Sequence, residues 1–131
     1  MIIAVDASAI VAIGMNEPER HDFLALLERV ETAFITPVNV LEAGLVIVLR
    51  QRLMGLDQFA FWLARLGLVE REVAGAAALQ AYLLLGKGVH RAGLNLGDCF
   101  AYALAKQLDA PLLYKGDDFG RTDIRPALQP T

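Results

Sequence analysis

Ile2, Ile3, Ala4 and Val5 run without a polar interruption into Asp6. A strand with one wet face alternates polar and apolar residues, whereas an unbroken apolar run is the pattern of a strand covered on both faces, as in a parallel sheet. Working outward from this run, short apolar stretches at residues 33–35, 68–70 and 111–114 read as further strands, with a last short strand near Ile124. Between them lie segments with helical spacing of apolar residues: 8–15, 18–30, 37–52, 57–66, 73–85 and 96–108. Thr36 followed by Pro37 is an N-cap with proline at the first helical position; Asp57 and Asn95 read as caps of their own helices. Residues 86–93 are loop-like in composition. Strands alternating with helices of about ten residues predict an α/β fold, a three-layer α/β/α domain whose central sheet is mainly parallel. Ligands of such folds bind at the carboxyl ends of the strands.

The chain has 131 residues, 56% hydrophobic and 21% charged, enough for one buried core, so residues 1–131 are read as a single domain. Twelve Lys and Arg against 15 Asp and Glu leave a formal charge of −3. That balance gives no long-range attraction for a polyanion, and a nucleic-acid partner would be held by local contacts. A single cysteine, Cys99, excludes an intramolecular disulfide, and no Cys/His set has zinc-ligand spacing. The N-terminus lacks the basic start and long apolar stretch of a signal peptide, and no apolar run reaches the length of a membrane span. A cytoplasmic protein is expected.

The acids carry the chemical information. Asp6 follows a buried-type strand. Glu42 is the only charged residue in the apolar run 37–49, which predicts a helix buried nearly all round and a lone buried carboxylate. Asp98 lies one turn into an apolar helix, and Asp117 and Asp118 follow the strand at 111–114. Each has an ordinary reading: Asp6 with Ser8 as a helix cap, Asp98 as a first-turn acid, Asp117 and Asp118 as turn residues. Gathered at one sheet end, carboxylates would repel one another unless a divalent cation joined them. All-oxygen ligation selects magnesium or manganese, ions that activate water and neutralise charge in phosphodiester hydrolysis.

The ordered set of residues 3–12, the Glu17-Pro18-Glu19 step, Thr36-Pro37 leading to Leu41-Glu42, residues 94–105 and residues 112–119 resembles a PIN domain, and more narrowly a VapC-type toxin of a toxin–antitoxin pair. The resemblance implies a Mg2+-dependent endoribonuclease with Asp6, Glu42 and Asp98 as metal-binding acids and Ser8 supporting the site. The fourth acid is taken as Asp117, with Asp118 in support, because Tyr114, Lys115 and Gly116 depart from the commoner pattern after the last strand. It also implies a cognate VapB-type antitoxin and a homodimer. Arg50, Arg52 and Lys115, with Lys87 and Arg91, are candidates for RNA phosphate contacts, though each also reads as ordinary surface charge. His21 and His90 read as surface residues and Cys99 as core; Trp62 with Phe59 and Phe61 reads as core packing or as cover for a partner groove. Two rivals are a phospho-acceptor, receiver-like signalling domain, for which Asp6 lacks a paired acid, and a catalytically inactive interaction module of the same fold.

Overall fold

A computed structural model describes residues 1–129. Four strands, β1 (Ile2–Val5), β2 (Thr32–Ile35), β3 (Leu68–Glu70) and β4 (Leu112–Leu113), form one sheet in the order β3-β2-β1-β4. Every pairing is parallel: Ile3 lies beside Ala33, Ala33 beside Leu68, and Val5 beside Leu113. The unbroken apolar run at the start therefore forms a central strand, and Ile3, Ala4 and Val5 are fully buried.

Because side chains alternate across a strand, the sheet feeds two cores. Ile3, Val5, Ala33, Ile35 and Leu113 pack with α1 (Ala7–Gly14), α2 (Arg20–Arg29), α3 (Pro37–Gly44) and α4 (Leu56–Arg65). Ala4, Phe34 and Leu112 face the opposite way, toward α5 (Gly75–Leu85) and α6 (Leu96–Leu108). This is the expected three-layer α/β/α architecture.

Several boundaries differ from the sequence expectation, each for a local reason. The first helix starts at Ala7 because the Asp6 side chain, in extended backbone, accepts the Ser8 N–H as N-cap. Pro18 lies in the turn before α2, which begins at Arg20. The helix expected over 37–52 is α3 followed directly by a π-helical segment, Leu45–Arg50, closed by the Gln51 N–H to the Val46 carbonyl. It is not buried all round: Leu41 and Leu49 are more than 60% exposed. Gly55, not Asp57, caps α4; its N–H donates to the returning Gln58 side chain, while Asp57 is an exposed first-turn acid. The strand expected near Ile124 is reduced to a single parallel bridge between Leu112 and Pro126. Among the described residues, no helix is long and apolar enough to cross a membrane.

Candidate active site at the carboxyl end of the sheet

β1 ends at Asp6, which is 4% exposed. Its Oδ2 accepts the Ser8 N–H at 3.1 Å, while Oδ1 is buried with no hydrogen-bond partner. Burial is the main force pushing the Asp6 carboxyl up to about 6; hydrogen bonds from the Ser8 hydroxyl and backbone oppose it, and the charges of Glu42 and Asp118 add to it. Asp6 is thus the N-cap of α1, with the Ser8 N–H as its donor. The Ser8 Oγ accepts the Lys115 N–H at 3.0 Å, tying the start of α1 to the chain leaving β4.

Asp98 reaches the same place from α6. Asn95 and Asp98 form a reciprocal capping box: the Asp98 N–H donates to Asn95 Oδ1 at 2.8 Å, and the Asn95 N–H donates to Asp98 Oδ2 at 3.1 Å. Burial again leads in pushing Asp98 up to about 7, against the Asn95 hydrogen bond, with the charges of Asp6, Asp118 and Glu42 adding to the rise. The ordinary cap and first-turn readings of Asp6 and Asp98 are therefore both correct, and they coexist with a shared acidic field.

Glu42 is half-buried and not alone. Its Oε1 accepts a hydrogen from Asn39 Nδ2 at 2.9 Å, and its carboxylate lies on the backbone of Gly97, where a Cβ would overlap both oxygens. The lone buried acid expected from the sequence is thus a partnered one at the α3–α6 junction.

The loop after β4 turns at Gly116, whose φ of +102° is a conformation glycine adopts without strain. It leads into a short 3-10 turn, Asp118–Arg121, pinned by Phe119, which is buried against Tyr114 with ring centroids 5.0 Å apart. The two acids considered for the fourth position have different surroundings. Asp118 is the acid whose charge acts on Asp6 and Asp98, whereas Asp117 acts on Tyr114 and faces a separate cleft with Glu19, Asp22 and Lys115. Both acids are exposed, and the buried Phe119 fixes the turn that carries them.

The cations are not gathered around the acids. The Lys115 ammonium pairs with Glu17 at 3.1 Å and Glu19 at 3.4 Å, so it is a latch between two loops rather than a free phosphate contact. Arg50 ends the π-helical segment, about 12 Å along the helix from Glu42 at ordinary helical rise, and Arg52 follows it outside the helix at a φ of +52°. Lys87 and Arg91 are exposed in the 86–93 loop. Arg71, which directly follows β3 and stacks over Phe34 at 4.7 Å, was not singled out from the sequence, nor was Asn39. His21 is exposed, His90 Nδ1 accepts the Ala92 N–H at 3.0 Å within its loop, and Cys99 is buried. A phospho-acceptor pair is absent among the described residues: Ala7 follows Asp6, and Asp57 is on the surface of α4.

As placed, no three His, Cys, Asp or Glu residues among those described close into a metal cage. The donor set nevertheless fits a hard divalent cation. It is all oxygen, it includes the unpartnered buried Asp6 Oδ1, and its two most buried members are held above the usual carboxylate range, a repulsion that a cation relieves.

A four-stranded parallel sheet between helical layers, with acidic residues at the carboxyl end of the sheet, is the architecture of a PIN domain. The chain belongs to that family, whose model matches residues 3–125. It is similar to ribonuclease VapC30 of Mycobacterium tuberculosis, with 41% identity over 98% of this chain and 100% of that protein. It is likewise similar to a ribonuclease VapC of Mycolicibacterium smegmatis, with 40% identity over 93% of this chain and 97% of that one. The crystal structure of M. tuberculosis VapC20, described as a sarcin-ricin loop cleaving toxin, shares the fold: TM-score 0.73 at 15% identity, covering 93% of this chain and 95% of that one.

Proposed function

We propose that this protein is a divalent-cation-dependent endoribonuclease, the toxin of a toxin–antitoxin pair. The observation that carries the reading is the buried Asp6 carboxylate oxygen without a partner at the end of the sheet, beside a second buried acid, Asp98, with the charges of Glu42 and Asp118 acting on both. The VapC ribonucleases to which the chain is similar along nearly its whole length support the RNA substrate and the antitoxin.

Asp6, Glu42, Asp98 and Asp118 would hold magnesium or manganese. A bound cation supplies Lewis acidity, lowering the pKa of the attacking water and neutralising charge on the phosphodiester. The chain's own contribution is placement. Ser8 orients Asp6, Asn95 orients Asp98 and Phe119 fixes the turn that carries Asp118, so the acids meet the substrate already positioned. Arg71, fixed over Phe34 at the same sheet end, is suited to a substrate phosphate.

An apolar groove of about 600 Å³ runs between α3, its π-helical continuation and α4, lined by Val40, Leu41, Leu45, Leu56 and Phe59 among others. It is a surface that the antitoxin or a second copy of the chain would cover.

The test is RNA cleavage with and without Mg2+, comparing wild type with Asp98→Asn. Cleavage that needs the ion and disappears in the variant is expected; cleavage that persists in chelator or survives the substitution overturns the assignment.

A further inference from the structure

Asn39 is fully buried, one helical turn before Glu42 on α3. Every polar atom of its side chain is matched. Oδ1 accepts the Thr36 hydroxyl at 2.6 Å, and Nδ2 donates to Glu42 Oε1 at 2.9 Å and to the Gly97 carbonyl at 3.1 Å. The orientation of the amide is forced. A carboxylate and a carbonyl only accept, so the nitrogen must face them; the Thr36 oxygen already accepts the Asn39 N–H at 3.0 Å, which leaves its proton for Oδ1. A flipped amide would set its oxygen against two acceptors, the Glu42 carboxylate and the Gly97 carbonyl.

The amide is thus a rigid fork joining α3 to α6. One prong fixes the Glu42 carboxylate from its own helix, and the other fixes the Gly97 backbone on which that carboxylate rests. Packing alone needs no amide here, since an apolar side chain would bury no polar atoms. Glutamate, by contrast, has three rotatable bonds to restrain before it can serve as a ligand.

We infer that Asn39 is a positioning residue for ion binding, holding Glu42 in the geometry that completes the carboxylate site. The inference rests on the divalent-cation reading above and names a residue that touches neither ion nor RNA. Outer-shell partners of metal ligands contribute roughly 10-fold to 100-fold to affinity.

The experiment measures Mn2+ affinity of the purified protein by electron paramagnetic resonance, in wild type, Asn39→Leu, Asn39→Ser, Glu42→Gln and the double variants. Asn39→Ser, smaller and still able to meet Thr36, replaces Asn39→Leu if that protein does not fold, and thermal melts confirm a cooperative fold in each. The expected result is a Kd weakened roughly 10-fold or more by the Asn39 change in the wild-type background, shrinking to less than about twofold once Glu42 is Gln. A merely structural role would weaken binding equally in both backgrounds. Equal losses, or an unchanged Kd in folded Asn39 variants, overturn this inference and leave the metal reading standing. A wild-type protein that takes up no Mn2+ overturns the metal reading, and this inference with it.

Discussion

The carboxylate of Glu42 occupies the space that a side chain at Gly97 would fill. Two helices distant in sequence approach so closely there because one contributes no Cβ. Gly97→Ala is therefore expected to push Glu42 out of the site and away from Asn39, at a small cost in stability because the atoms that move are the end of a flexible, half-buried side chain. In a Glu42→Ala background the sign inverts, because Ala is favoured over Gly in a helix by roughly 0.5–1 kcal/mol. Melting temperatures of the four proteins check this; a destabilising Gly97→Ala in both backgrounds would refute the contact.

Asp98, held at about 7 against an ordinary 3.8, makes stability depend on pH. The folded state keeps a proton that the unfolded chain releases, so this group's contribution is full at low pH and is lost as pH rises from about 4 through 7. In chelator, Asp98→Asn should come close to wild type near pH 4.5 and be more stable by on the order of 2 kcal/mol at pH 8, about 6–12 °C in Tm. Denaturation scans at the two pH values decide it. An advantage for the variant at pH 4.5 that vanishes at pH 8 would contradict the assignment.

Divalent cations should reverse that ranking. At pH 8, magnesium or manganese at 100 times its Kd should stabilise wild type by about 2.7 kcal/mol and Asp98→Asn by much less. The same scans repeated with added ion provide the check, and an equal rise in both proteins would remove Asp98 from the ion's surroundings.

Asp117 and Asp118 are neighbours with different fates. Asp118→Asn should lower RNA cleavage by roughly 100-fold or more, a loss on the scale of removing one transition-state-stabilising group. Asp117→Asn, altering a group in the separate cleft, should change it by no more than about threefold. Initial rates on one RNA substrate distinguish the two, and the opposite ranking would restore Asp117 as the fourth acid.

The layers of the fold were legible because they depend on local rules: an apolar run makes a covered strand, and Thr36-Pro37 starts a helix. Asp6, Glu42 and Asp98 were legible as acids where acids are unfavourable. What escaped depends on packing between distant segments. The π-helical stretch Leu45–Arg50 has the composition of ordinary helix, and the exposed faces of Leu41 and Leu49 follow from where α4 stops covering them. The turn that carries Asp117 and Asp118 is fixed by Phe119 finding the core. Lys115 resembles a phosphate contact until Glu17 and Glu19 fold onto it. Asn39 did leave a trace, a polar residue three positions from Glu42 in an otherwise apolar helix, and that spacing was the available signal.

The bridge between Leu112 and Pro126 has a consequence for solubility. β4 would otherwise offer a bare row of backbone donors and acceptors to any passing strand. The tail occupies that row, with Leu112 giving its N–H to Arg125 and taking one from Ala127, and the segment laid over it presents a proline ring where a further strand would need a donor. The sheet is thereby closed to growth on that side, and neighbouring copies cannot add to it strand by strand.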